Sequence, residues 1–333
     1  MDSEVDVDGS RAAGIVAGTA CGDALGAGYE FGPPLADGTP VAMVGGGVFD
    51  WAPGEWTDDT SMAVPVLQAV AAGRPLTDDA TLDGIVAAWV GWARDAQDVG
   101  AQTRAVLGRL RAPSGTADGL AADCRTAAAA LHAETGRTAG NGSLMRTAPV
   151  VLAHLDGSSS PEELAVSARA VSDLTHADPE AGDACVLWCA AVRHAVLAGE
   201  FDLRGGLALL PARRQDLWAG RIDVAEVSRP RDFPQNGWVV QALQAAWSAI
   251  VTTPVPTADP ASHFRLALED AVRGGNDTDT VAAIAGGLLG ARWGAGAVPP
   301  AWRELLHGWP GSRLADLERL TQQATLRPLR ADS

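Results

Sequence analysis

The sequence predicts a single domain built almost entirely of α-helices. In most of the chain, Ala-rich segments carry Leu, Val and Trp at spacings of three and four, as expected for helices that bury one face. The alternation of apolar and polar residues that is typical of strands is nearly absent, and only residues 40–50 are candidates for a short hairpin. No linker divides the 333 residues, so we expect one domain over 10–330, preceded by a disordered tail at 1–9.

Glycine and proline clusters mark where the predicted helices end. Between these breaks, the periodicity predicts helices over residues 11–27, 60–72, 81–94, 120–133, 143–153, 161–172, 180–198, 238–251, 262–273, 280–291 and 312–325. Pro65 falls inside the second of them, where it either occupies a first turn or kinks the helix. Residues 201–236 are polar and contain Arg and Pro, which predicts short helices joined by a long loop.

Composition and charge exclude several classes of protein. With 47% hydrophobic and 20% charged residues, the chain has a globular composition and not a disordered one. The net charge is −16 and the longest basic run is Arg213-Arg214, so nucleic acid is not an expected partner. The acidic N-terminus lacks the apolar segment of a signal peptide, and the longest apolar stretches, 184–192 and 281–291, are too short to span a membrane. We therefore expect a cytoplasmic protein, and a monomer.

Two similar acidic clusters lie more than two hundred residues apart. Thr57-Asp58-Asp59-Thr60 and Asp277-Thr278-Asp279-Thr280 each open a helical pattern, and an apolar run follows each one. One interpretation is that both are helix N-caps, because Asp and Thr are favoured there. A single Asp or Thr would satisfy a cap, however, and paired carboxylates repel each other unless a cation lies between them. Carboxylate and hydroxyl oxygens suit Mg²⁺, Mn²⁺ or Ca²⁺ and not zinc.

The spacing within the second cluster supports the metal interpretation. Asp277 and Asp279 are two residues apart at a helix start, so both side chains can converge on one cation while Thr280 adds a hydroxyl. Together with residues 57–59 this makes six hard oxygen ligands, enough for two neighbouring ions. The predicted metal ligands are Thr57, Asp58, Asp59, Asp277, Asp279 and Thr280. Glu30 brings the number of predicted carboxylates to five.

Three further motifs are candidates for the site. Glycines recur every four residues in the segment 18–28, which favours close helix packing, but Asp23 and Glu30 are unexpected in an otherwise apolar element. The segment 140–149 is a Gly/Asn/Ser loop that leads into a predicted helix, which is a potential phosphate site. Within it, Arg146 either contacts phosphate or pairs with a structural carboxylate. His176 precedes a predicted helix, where a capping role and a site role are both open.

In their order along the chain, these motifs resemble those of the ADP-ribosylglycohydrolase family. This family includes dinitrogenase-reductase-activating glycohydrolase and the ADP-ribosylarginine and ADP-ribosylserine hydrolases. With the helices that carry them, the matching motifs span residues 14–291 and lie in the segments 22–30, 56–60, 140–146, 175–176 and 274–280. Asn276 is a mild departure, since many relatives have Gly directly before the first Asp of this cluster.

The resemblance implies an orthogonal bundle of many helices with a binuclear Mg²⁺ centre in a cleft, or a Mn²⁺ centre in its place. It implies the same six metal ligands, and it places Glu30 near the metals in catalysis or gating. The residues that it places against ADP-ribose are Glu30, Asn141, Gly142, Ser143, Met145 and His176.

The expected activity is hydrolysis of the glycosidic bond between ADP-ribose and a modified acceptor, which is a protein side chain such as arginine or serine, a nucleobase or a small molecule. Mg²⁺ acidifies water less than Zn²⁺ does, so we expect a carboxylate to act as base, with Asp59 and Glu30 as the candidates. Two alternatives stay open. One is a catalytically silent relative with a binding or structural role, and the other is a Mg²⁺-dependent phosphohydrolase of nucleotide-sugars.

Overall fold

The computed structural model of the chain describes residues 8–110 and 117–326. Over these residues the predicted all-α architecture is confirmed. Residues 1–7 of the predicted tail lie outside the described residues. For its last two residues the tail prediction is wrong, because Gly9 begins the first helix and the Asp8 carboxylate caps it by accepting a hydrogen bond from the Ser10 N–H at 2.9 Å.

The α-helices follow one another in the order α1 Gly9–Gly26, α2 Asp58–Ala71, α3 Asp79–Trp92, α4 Ala101–Leu107, α5 Leu120–Thr135, α6 Pro161–Asp173, α7 Pro179–Ala198, α8 Ala212–Val227, α9 Val239–Thr252, α10 His263–Arg273, α11 Thr278–Trp293, α12 Pro300–Arg303 and α13 Leu314–Leu326. An antiparallel pair of short strands, β1 (His307–Gly308) and β2 (Ser312–Arg313), lies between α12 and α13. Pro65 lies well inside α2, and the helix continues through it.

Several local predictions were wrong. Among the described residues, the only strands are β1 and β2. Residues 40–50 form loops and turns, and all that is present of the predicted hairpin is an isolated antiparallel bridge between Gly46 and Trp51. The segment 143–153 forms two 3₁₀ segments, Asn141–Arg146 and Ala148–His154, separated at Thr147. Pro149, two residues after Thr147, cannot donate a backbone hydrogen bond. The segment 201–236 contains one long helix, α8, and the short helix α4 was not predicted.

The centre of the fold is an antiparallel contact between α1 and α11, built from glycines. A Cβ atom added at Gly18 would lie 2.0 Å from the carbonyl oxygen of Gly286, and one added at Gly14 would lie 2.0 Å from that of Gly290. The two backbones therefore touch directly, which only residues without a side chain allow. At the end of the contact Gly26 lies against the backbone of Asp279, so the helix packing fixes the position of that acidic residue.

One helix among the described residues, Pro179–Ala198, is long and apolar enough to cross a membrane by length and composition alone. In the structure 72% of its most apolar window is buried within the protein, as in the core helix of a globular domain. The cytoplasmic location and the monomeric state stay predictions.

Candidate metal centre

The two acidic clusters, separated along the chain, meet in space where α2 and α11 begin. The Thr57 hydroxyl oxygen lies 3.3 Å from Asp59 Oδ2, 3.3 Å from Asp279 Oδ2 and 3.5 Å from Asp58 Oδ1. A hydroxyl has one proton and can donate it to only one of these oxygens. The Thr57 proton therefore satisfies only one of the three contacts, and a cation would stabilise the close approach of the remaining oxygens.

Seven carboxylates form three overlapping groups, in each of which the ligand oxygens lie within 4.8 Å of one another. The groups are Asp23, Asp59 and Asp279; Glu30, Asp277 and Asp279; and Asp58, Asp98 and Asp279. Asp279 belongs to all three groups and is therefore the centre of the cluster. None of the ion pairs formed among the described residues includes any of the seven.

Asp23 links the last turn of α1 to the start of α2. Its two carboxylate oxygens accept hydrogen bonds from the backbone N–H groups of Thr57 at 2.8 Å and Thr60 at 2.9 Å. The carboxylate thus caps the helix from outside and orients the metal-ligand motif. Burial raises the pKa of Asp23 to about 6, against the lowering effect of these hydrogen bonds.

Charge repulsion inside the cluster is strong. Burial, followed by the neighbouring carboxylates, raises the pKa of Asp58, Asp59 and Asp279 well above the usual range of an aspartate. The same causes raise the pKa of Glu30 to about 9, with Asp277 the largest of its charged neighbours. A bound cation would reverse this balance and keep the carboxylates ionised.

The residues fit a hard divalent cation. Asp59 Oδ1 and Glu30 Oε2 are buried and have no hydrogen-bond partner among the described residues. A buried carboxylate oxygen without a donor is costly, and a cation would satisfy it. The oxygens that would contact a cation in the cluster come from carboxylates and from the Thr57 hydroxyl. Mg²⁺ and Mn²⁺ prefer such ligands. Thr280 lies buried in the first turn of α11.

The loop before α11 uses a left-handed backbone to bring Asp277 into the cluster. Gly275 has φ +76° and Asn276 has φ +63°. Asn is one of the few residues besides Gly that adopt this conformation readily, so Asn276 fits this position. Asn276 also pairs with the chain after Glu30: Phe31 N–H donates to the Asn276 carbonyl at 2.6 Å, and Asn276 N–H donates to the Gly32 carbonyl at 2.8 Å. Glu30 is thereby held beside Asp277.

Comparison with known proteins identifies the family to which this site belongs. The profile of the ADP-ribosylglycohydrolase family matches residues 4–330. The chain belongs to the ADP-ribosylglycohydrolase family. It is 33% identical to the ADP-ribosylarginine hydrolase Tri1 of Pseudomonas putida, over 88% of this chain and 73% of the relative. It is 30% identical to the ADP-ribosyl-[dinitrogen reductase] glycohydrolase of Rhodospirillum rubrum, over 88% of each.

A solved structure titled "ADP-ribosylglycohydrolase-related protein complex" shares the fold, with a TM-score of 0.69 and 29% sequence identity. The alignment covers 96% of this chain and 98% of the other. As a member of the ADP-ribosylglycohydrolase family, the protein is a glycosidase that releases ADP-ribose from an acceptor.

The predicted ligand-binding loop of this ADP-ribosylglycohydrolase borders the carboxylate cluster. Asn141 donates from Nδ2 to Asp277 Oδ2 at 2.7 Å and to the Asn236 carbonyl at 2.8 Å. Asn236 in turn accepts from the Asp277 N–H and donates to the Gly275 carbonyl. Asn141 therefore orients a metal-ligand candidate, and its predicted contact with ADP-ribose stays a prediction.

His176 lies directly beneath the loop. A Cβ atom added at Gly142 would lie 3.3 Å from the His176 ring, so the loop packs tightly against the ring at this position. Burial and Arg146 hold the pKa of His176 well below its usual range, and the ring is neutral. Thr175 Oγ1 accepts from Arg146 at 2.7 Å and is hydrogen-bonded to His176 Nδ1, also at 2.7 Å. His176 Nε2 faces the loop.

The other two predicted contacts and Arg146 lie in the interior. Ser143 is fully buried and its hydroxyl accepts from Ser172 at 3.0 Å, so its side chain points into the core. Met145 is 4% exposed. The contacts of both residues with ADP-ribose stay predictions. Neither interpretation of Arg146 holds: its guanidinium stacks over Trp89, 4.1 Å from the ring centroid, and donates to the Gly142 carbonyl at 3.0 Å.

Two carboxylates of the cluster were missing from the predicted ligand set. Asp23 stood out in the sequence as a charged residue in a glycine-rich apolar helix, but its partners could not be inferred. Asp98 follows α3 in an acidic loop, and nothing in the neighbouring sequence distinguishes it from Asp95 as a residue of the cluster. Only the packing of α3 against α2 brings it to Asp58.

Proposed function

We propose that this ADP-ribosylglycohydrolase uses divalent cations, Mg²⁺ with Mn²⁺ as a substitute, to hydrolyse the bond between ADP-ribose and an arginine side chain. The observation that carries the proposal is the cluster of seven carboxylates centred on Asp279, which no basic side chain neutralises by an ion pair among the described residues. Arginine as acceptor is supported by the relative in Pseudomonas putida, whose name specifies an ADP-ribosylarginine hydrolase.

The six residues that would hold two cations are Thr57, Asp58, Asp59, Asp277, Asp279 and Thr280. When bound, the cations would supply positive charge that offsets the carboxylates, attracts the anionic ADP-ribose and holds its ribose hydroxyls. The protein's own contribution is to fix these oxygens in place through Asp23, which caps α2, and Asn141, which holds Asp277.

Of the two candidate bases, the structure favours Glu30. Asp59 is fully buried and its Oδ2 lies 3.3 Å from the Thr57 hydroxyl, as suits a ligand at the bottom of the cluster. Glu30 is 9% exposed at the edge of the cluster, and its Oε2 has no partner among the described residues. With cations bound it would be ionised and able to take the proton from the water that attacks the ribose C1″. Nearby carboxylates also stabilise the positive charge that develops at C1″.

Release of ADP-ribose tests the proposal. The protein is incubated with ADP-ribosyl-arginine, ADP-ribosyl-serine and an ADP-ribosylated nucleobase, each with Mg²⁺ or with EDTA, and free ADP-ribose is measured. We expect release from the arginine conjugate with Mg²⁺ and none with EDTA. Release that EDTA does not affect would contradict the role of the metal. ADP-ribose binding without any release would favour a silent relative, and release of AMP would favour a phosphohydrolase.

Glu30→Gln should lower kcat for ADP-ribosyl-arginine by about a hundredfold or more, because the amide cannot accept the proton from water. The increase in Tm that saturating Mg²⁺ gives to the wild type should remain, since the six predicted ligands are intact. Asp59→Asn is the matched comparison and should lose both the activity and the Mg²⁺-dependent increase in Tm. If Glu30→Gln keeps full turnover while Asp59→Asn loses turnover but retains the Tm increase, the base is Asp59.

A further inference from the structure

A small cavity of about 220 Å³ adjoins the carboxylate cluster on the side of Asp58, and four tryptophans line it. The tryptophans that line it are Trp51, Trp56, Trp92 and Trp309, and the carboxylates that line it are Glu55, Asp58, Asp95 and Asp98. No basic side chain is among the described residues of this lining. We call this cavity the tryptophan pocket.

The tryptophan pocket is continuous with the carboxylate cluster. Asp58 and Asp98 line the pocket and also form one of the three carboxylate groups around Asp279. Thr57, whose hydroxyl lies 3.3 Å from Asp279 Oδ2, lines it as well. A group bound in the pocket would therefore lie next to the ribose carbon at which the bond breaks.

The walls are brought together from distant parts of the chain. The turn formed by β1 and β2 carries Trp309, and the Trp56 indole N–H donates to the Trp309 carbonyl at 3.1 Å. A side chain at Gly308 would collide with the Trp56 ring, since a Cβ atom there would lie 2.4 Å from Nε1. Trp51 also lines the pocket, and its Nε1 is buried and has no partner among the described residues.

We propose that the tryptophan pocket holds the acceptor's guanidinium group and makes the enzyme selective for arginine, an inference that rests on the proposed function. Guanidinium is a planar cation that stacks on indole faces and donates several hydrogen bonds to carboxylates. Serine or another neutral acceptor would gain from neither feature. The volume is below that of a typical small-molecule site, so it suits one side chain and not a nucleotide.

Trp309 and Asp95 are suitable positions for a test, because Trp309 is only partly buried and Asp95 is exposed. Trp309→Ala and Asp95→Asn should each lower kcat/KM for ADP-ribosyl-arginine by about tenfold. Trp309→Phe keeps an aromatic face and should retain most of the activity. The affinity for free ADP-ribose, which has no acceptor, should stay within about twofold in every variant.

Two variants outside the pocket serve as controls. Trp302→Ala removes a partly buried tryptophan of α12, and Asp123→Asn removes an exposed aspartate of α5. Both should match the wild type. If Trp309→Ala or Asp95→Asn lowers kcat/KM for ADP-ribosyl-arginine and leaves the affinity for ADP-ribose unchanged, the result supports the pocket. Unchanged kcat/KM in both variants, or an equal loss of ADP-ribose affinity, would overturn it.

The pocket and the proposed function can fail separately. Agmatine, a guanidinium compound, is titrated in the presence of saturating ADP-ribose, so that binding is read without turnover. It should bind the wild type and bind Trp309→Ala and Asp95→Asn more weakly. If the wild type hydrolyses none of the conjugates, the proposed function is wrong. The agmatine titration then still tests whether the pocket binds guanidinium. Agmatine that does not bind, or that binds all variants equally, would overturn the pocket.

Discussion

Replacement of Asp279 by Asn should lower the hydrolysis of ADP-ribosyl-arginine by more than about a thousandfold with the fold retained. Asp279 belongs to all three carboxylate groups, so its charge contributes to every cation position that they define. Loss of such an interaction weakens transition-state stabilisation by several kcal/mol, and each 1.36 kcal/mol corresponds to a factor of ten in rate. Without a cation the carboxylates of the cluster repel one another, and Asp279→Asn removes one of these charges. The Tm of the metal-free variant should therefore be no lower than the Tm of the metal-free wild type.

The matched control is Asp270→Asn, which changes a partly buried aspartate of α10 outside the cluster. It should keep wild-type turnover. Steady-state kinetics at saturating Mg²⁺ measure both variants, with circular dichroism as the check on folding. Turnover by Asp279→Asn within about tenfold of the wild type would refute the role of Asp279 as a shared ligand.

The second large effect concerns stability. Gly18→Ala should lower the free energy of unfolding by about 3 kcal/mol or more, because the added methyl group would lie 2.0 Å from the carbonyl oxygen of Gly286. The neighbour is helix backbone and cannot rotate away, so α1 and α11 must separate. Their separation would also move Asp279 away from Asp23, and binding of Mg²⁺ should weaken as well.

Gly84→Ala is the control for this substitution. Gly84 lies on the exposed face of α3, and a Cβ atom there would meet nothing within 4 Å. This variant should be as stable as the wild type or up to about 1 kcal/mol more stable, since Ala favours a helix. Chemical denaturation of both variants gives the comparison. Equal stability of Gly18→Ala and the wild type would show that the helix contact is looser than described.

The sequence was informative where function depends on residues close together in the chain. The helical periodicity predicted most of the long helices, and the paired Asp motifs predicted ligand candidates that the structure brings together across α2 and α11. The glycine spacing in α1 predicted close packing but could not identify α11 as the partner. Asp98 could not be found, because its place in the cluster depends on how α3 packs against α2.

Local patterns also failed where tertiary contacts determine side-chain orientation. Ser143 and Arg146 stand in a motif that resembles a phosphate loop, but both side chains turn into the core, where Arg146 stacks on Trp89. Nothing local distinguishes an arginine that faces a ligand from one that supports the loop from beneath. The tryptophan pocket is a similar case, since its walls come from α3, the loop before α2, and the turn between β1 and β2.

The most direct measurement of the central claim is the position of Mn²⁺ in crystals of the protein, read from anomalous scattering at saturating Mn²⁺. We predict two peaks, enclosed by oxygens of Asp58, Asp59, Asp277 and Asp279, with Asp279 shared between them. A cluster without any peak, in a protein that hydrolyses ADP-ribosyl-arginine under the same conditions, would contradict the assignment of these carboxylates as the metal centre.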